Sequence, residues 1–201
     1  MRTKILGTAV AALILTVSAY GTADFTFGNH PQPNEENIMF HSDQMGMTID
    51  ASTTFSGSPV QFSSTLDTLI GTGGQSDVDS SSGLIHDITM TVPGKTFLDA
   101  IINPFKPVNI GDLMVSVVTS TGRFGTFPFG STTGDNFLTI TATGGETIDS
   151  VTIDSAGGFQ GLKQPRISGI PGVVVPEPSS LALLGSGVLG LAAVIRRKLT
   201  F

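Results

Sequence analysis

The chain has 201 residues, a formal net charge of −6, no cysteine and no tryptophan. Without cysteine there are no disulfides, no thiolate metal sites and no cysteine nucleophile. Between Asp24 and Val175 fifteen acidic residues stand against only Lys95, Lys106, Arg123, Lys163 and Arg166; so acidic a segment repels phosphate backbones and sets nucleic acid aside as a partner.

Residues 1–23 are organised as an export leader. Arg2 and Lys4 supply a positive start, Ile5 to Val17 an apolar run too short to span a bilayer comfortably, and small residues follow. Signal peptidase is therefore expected to act here, after Ala23, where Gly21 and Ala23 are small and Asp24 opens a polar stretch. Ala19 is the other position at which a small residue ends the leader.

From residue 24 to 170 the pattern is β. Short runs of alternating apolar residues are punctuated by Gly, Ser, Thr and Asp. Met45, Met47 and Ile49 predict one strand, Ile88, Met90 and Val92 another. Leu113, Val115 and Val117 predict a third, with Met114 and Val118 making it apolar on both faces. Leu138, Ile140 and Ala142 predict a fourth, and Gly144-Gly145 then predicts a hairpin towards Ile148, Val151 and Ile153. No helical period is sustained, and many short strands predict an all-β ectodomain, an antiparallel β-sandwich or jelly roll.

Candidate chemistry in this domain is sparse. Asp77 and Asp79, between Gly-rich and Ser-rich stretches, are the metal candidates: two carboxylates two residues apart in a loop can converge on calcium, and a solvated acidic turn is the other reading. His30, His41 and His86 show no metal-ligand spacing and read as surface histidines. No Gly-x-Ser-x-Gly elbow occurs in the domain, so no catalytic residue is assigned and the protein reads as non-enzymatic, with no cofactor beyond that calcium candidate. Thr139, Thr141 and Thr143 share one face of a strand. Phe124, Phe127 and Phe129 predict either an aromatic loop tip for a glycan or, the preferred reading, a plug at the end of the domain.

The final residues have three parts. A linker, 171–178, ends in Pro176-Glu177-Pro178; residues 179–195 are apolar or small; and 196–201 contain Arg196, Arg197 and Lys198. The apolar part predicts a transmembrane helix of about 25 Å, short for a bilayer core of about 30 Å. The basic cluster holds the end in the cytoplasm, leaving the acidic domain outside. The prolines keep the preceding segment extended where a membrane enzyme can reach it.

This arrangement resembles the PEP-CTERM sorting domain, whose tail is also catalogued as an ice-binding protein C-terminal region. The resemblance implies recognition of Pro176, Glu177 and Pro178 by an exosortase, retention in membrane lipid through the apolar helix, and orientation by Arg196, Arg197 and Lys198. It further implies delivery to the cell surface or exterior of a biofilm-forming bacterium, with exopolysaccharide as a partner of the mature domain. A structural or adhesive role follows, with a carbohydrate- or calcium-binding module as the alternative.

Overall fold

The computed structural model of the protein describes residues 23–122, 124–130 and 132–172. The leader up to residue 22, the Pro176-Glu177-Pro178 motif, the apolar segment 179–195 and the basic cluster Arg196, Arg197 and Lys198 lie outside the described residues. Among those described, no helix is long and apolar enough to cross a membrane.

The strands in chain order are β1 (Ala23–Phe27), β2 (Glu36–Met39), β3 (Gln44–Gly46), β4 (Thr48–Thr53), β5 (Pro59–Ser63), β6 (Leu69–Gly71), β7 (Asp77–Ser80) and β8 (Ile85–Thr91). They continue with β9 (Asp99–Ile102), β10 (Pro104–Pro107), β11 (Leu113–Thr119), β12 (Phe124–Phe129), β13 (Leu138–Ala142), β14 (Ile148–Lys163) and β15 (Arg166–Ser168). The all-β, antiparallel expectation holds. In place of two separate sheets, however, the strands form one curled sheet. Its hydrogen-bonded path runs from β1 through β13, β9, β15, β2, β4, β5, β8, β14, β7 and β6 to β3, with β10 and β11 on β14 and β12 on β11. The joint is β2, which pairs β15 on one side and β4 on the other.

Alternation explains what the concave side buries, because residues two apart share a face. Ile88, Met90 and Val92 are buried, as are Leu113, Val115 and Val117, while Met114 turns outward. These side chains join Phe40, Phe62, Phe97, Ile140, Ile153 and Phe159 in one core. At Gly71 the packing is so close that a Cβ would lie 2.4 Å from the Phe40 ring, so only glycine fits there.

Three sequence expectations are corrected. The run at Met45, Met47 and Ile49 is not one strand: it breaks at Met47 between β3 and β4, leaving Met45 67% exposed and only Ile49 in the core. The turn at Gly144-Gly145 forms, with φ of +65° and +82°, which glycine adopts without steric cost. It closes no hairpin, because β13 pairs with β1 and β9 whereas β14 pairs with β8 and β11. A tight turn fixes a reversal, and burial of both flanking strands then sent them to different parts of the sheet. Finally, of the two readings of Phe124, Phe127 and Phe129 it is the loop tip that is corrected, since residues Phe124–Phe129 form the regular strand β12.

Candidate functional site

Asp77 and Asp79 were expected in a loop and lie instead on β7, where Val78 between them fills the core. The two carboxylates do converge on a cation. It is the Lys163 ammonium at the end of β14, 3.2 Å from Asp77 Oδ2 and 3.1 Å from Asp79 Oδ1. Burial works against the charge of Lys163, but the hydrogen bonds and the charges of Asp79 and Asp77 outweigh it and raise its pKa. A calcium ion would have to displace that ammonium. Among the described residues no three His, Asp or Glu side chains are grouped closely enough to hold a metal.

The three histidines stay apart, each tied locally. His30 Nε2 pairs with the Phe27 carbonyl at 2.8 Å, and His41 Nε2 with the Ser52 hydroxyl at 2.6 Å. His86 Nδ1 faces Asp67 Oδ1 at 3.1 Å, while its backbone N–H donates to Asp67 Oδ2 at 2.6 Å. The latter is a dyad of buried carboxylate and half-exposed imidazole that sequence spacing does not show, since the two strands β6 and β7 lie between its members.

Two further carboxylates organise loops. Glu36 is buried and accepts from the N–H groups of Phe55 and Ser56 at 2.9 and 2.7 Å, which pins the turn between β4 and β5. Burial disfavours its charge; the donated hydrogen bonds outweigh that and depress its pKa. Asp87 does the same for the turn after β5, accepting from the Ser64 hydroxyl, from Thr65 N at 2.8 Å and from Leu66 N at 3.1 Å. Its pKa is likewise depressed against the opposing effect of burial.

The threonine face expected from Thr139, Thr141 and Thr143 is not free. Thr139 is buried; its hydroxyl accepts from His30 N at 3.1 Å and donates to the Gly28 carbonyl at 2.9 Å, so it anchors the segment after β1. A different hydroxyl array exists on the convex side. Thr126, Ser116, Thr152, Thr89, Ser63 and Thr48 stand opposite one another through successive register pairs of β12, β11, β14, β8, β5 and β4. At about 4.8 Å per strand the row extends about 24 Å. The Thr89 and Thr152 hydroxyls lie 2.9 Å apart. Sequence reading missed it because each strand supplies one member and only the register aligns them.

Phe127 and Phe129 are inward residues of β12. Phe127 stacks on Phe25 and Phe129 on Phe27, with centroids 5.0 and 5.3 Å apart, so they join the edge strands β1 and β12. Ala23 and Asp24, the expected cleavage pair, open β1 opposite Ala142 and Thr141. A cut between them leaves Asp24 as the first residue of that strand.

The family model described as the PEP-CTERM protein-sorting motif matches residues 174–198. No curated protein and no solved structure matches the chain. The matched segment contains Pro176, Glu177, Pro178 and the basic cluster up to Lys198, so the assignment rests on the tail and not on the β domain. The motif supports an exported protein sorted to the cell surface through an exosortase, and the chain carries a PEP-CTERM protein-sorting motif at its tail.

Proposed function

We propose that the chain is a non-enzymatic, cofactor-free surface or extracellular protein with a structural or adhesive role in an exopolysaccharide matrix. The observation that carries this reading is the sorting motif at residues 174–198. Signal peptidase removes the leader after Ala23. The apolar segment 179–195 then holds the chain in membrane lipid with Arg196, Arg197 and Lys198 inside, until the exosortase acts near Pro176-Glu177-Pro178. Changing Glu177 to Ala should leave export intact and abolish tail processing, read as loss of the shorter band on immunoblots of the host. Normal processing of that variant would remove the exosortase assignment.

The convex hydroxyl row favours a carbohydrate-binding form of the same role. Its central members are neutral donors and acceptors, suited to hydrogen bonding with a hydroxylated polymer. The aromatic stacking that commonly supports glycan binding is not available there, since Phe127 and Phe129 face inward. Many weak hydrogen bonds spread over about 24 Å would give avidity without a deep site. Replacing Thr89 and Thr152 together by Val should abolish retardation on the host polysaccharide while keeping the melting temperature; unchanged retardation would exclude this face.

A further inference from the structure

Both ends of the folded domain leave from one pole. Ala23, the first residue of β1, stands opposite Ala142 at the end of β13. Ala142 N donates to the Leu98 carbonyl at 2.8 Å, and Leu98 N donates to the carbonyl of Ser168, the last residue of β15, at 2.9 Å. The last residue of the leader and the last strand before the tail are therefore three strand spacings apart, about 14 Å. The same pole carries the exposed Lys95, Leu98 at 42% exposure, and the Gly144-Gly145 turn.

Covalent reach makes this placement consequential. Residues 173–178 separate the described domain from the apolar segment, and six residues span at most about 20 Å. Ser18 to Thr22 separate the leader's apolar run from β1, a reach of about 17 Å. A strand such as β11 is itself about 23 Å long. A tail leaving from the opposite pole would use its whole length passing the domain. Leaving from this one, leader and tail can both reach a single bilayer with the domain folded.

We propose that this pole, bearing Lys95, Leu98 and the Gly144-Gly145 turn, is the surface the folded domain sets against the lipid headgroups of the bilayer that holds its tail. The opposite pole, with exposed Val108, Ile110 and Thr133, points away from the membrane. This rests on the reading of residues 179–195 as membrane-inserted. Leader removal is then not required before the domain folds at the membrane, because both tethers are satisfied together.

The absence of cysteine makes the test direct. Full-length chains carrying a single cysteine, Lys95→Cys or Thr133→Cys, are labelled with a fluorophore and reconstituted into phosphatidylcholine vesicles containing a headgroup-nitroxide lipid. The label at 95 should lose more than half its emission, and the label at 133 should keep nearly all of it. Equal quenching, or stronger quenching at 133, overturns the orientation while the chain still floats with the vesicles. A chain that does not float removes the membrane reading and the orientation with it.

Discussion

Phe25 on the first strand and Phe127 on β12 stack with their ring planes 5° from parallel and their centroids 5.0 Å apart, although the two strands share no hydrogen bonds. Together with Phe27 on Phe129, this contact joins the edge strands β1 and β12 of the curled sheet through side chains alone. The seam explains why aromatic residues cluster in β1 and β12. Each strand is paired on one side only, and stacking supplies what the missing ladder does not.

Removing the ring at the seam should therefore cost stability. Phe127→Ala is expected to destabilise the domain by about 2–4 kcal/mol, with amide exchange accelerating first in β1. Thermal unfolding and hydrogen exchange read both effects. A variant that keeps its melting temperature but loses affinity for polysaccharide would show instead that Phe127 is a binding residue.

Acid should weaken the fold through Glu36 and Asp87. Both carboxyls have pKa values depressed in the folded state, held there by N–H and hydroxyl donors. A depressed pKa stabilises the fold above the unfolded value, about 4, and that contribution is lost as pH falls through the lower folded value. The melting temperature should be level from neutral pH to about 5 and fall below about 4. Glu36→Gln should flatten part of the fall, and a profile identical to wild type would exclude Glu36 as its source.

At the alkaline end Lys163 acts in the opposite direction. Its raised pKa gives stability that is complete below the unfolded value, about 10.4, and lost as pH rises through the folded one. The same ion pair governs calcium. Millimolar calcium should leave the wild-type melting temperature unchanged, because Lys163 occupies the oxygens of Asp77 and Asp79. In Lys163→Met the freed carboxylates should make the melting temperature rise with calcium. A calcium-dependent rise in the wild type would contradict this account.

What was legible in the sequence was local. The alternations at Ile88 to Val92 and at Leu113 to Val117 identified strands and their buried faces, because a period of two needs no knowledge of partners. The tail was legible for a similar reason: its prolines, apolar run and basic cluster are contiguous. Pairing was not legible. Nothing near Gly144-Gly145 announces that β13 and β14 separate, and nothing near Asp77 announces Lys163, which arrives only when β14 pairs with β7. The hydroxyl row was hidden by the same dependence on register. Met45 and Met47 misled because their alternation is real but Met45 lies on β3 at the edge of the sheet and Met47 in the break between β3 and β4, where an apolar side chain has no core to enter.

The central claim is that the chain is exported and then released or transferred through its sorting motif, and the intact mass of the protein recovered from its own host tests it most directly. The account predicts a species beginning near Asp24 and ending near Pro178. A mass that still includes Phe201 would contradict it and leave the protein as an ectodomain permanently anchored by its tail.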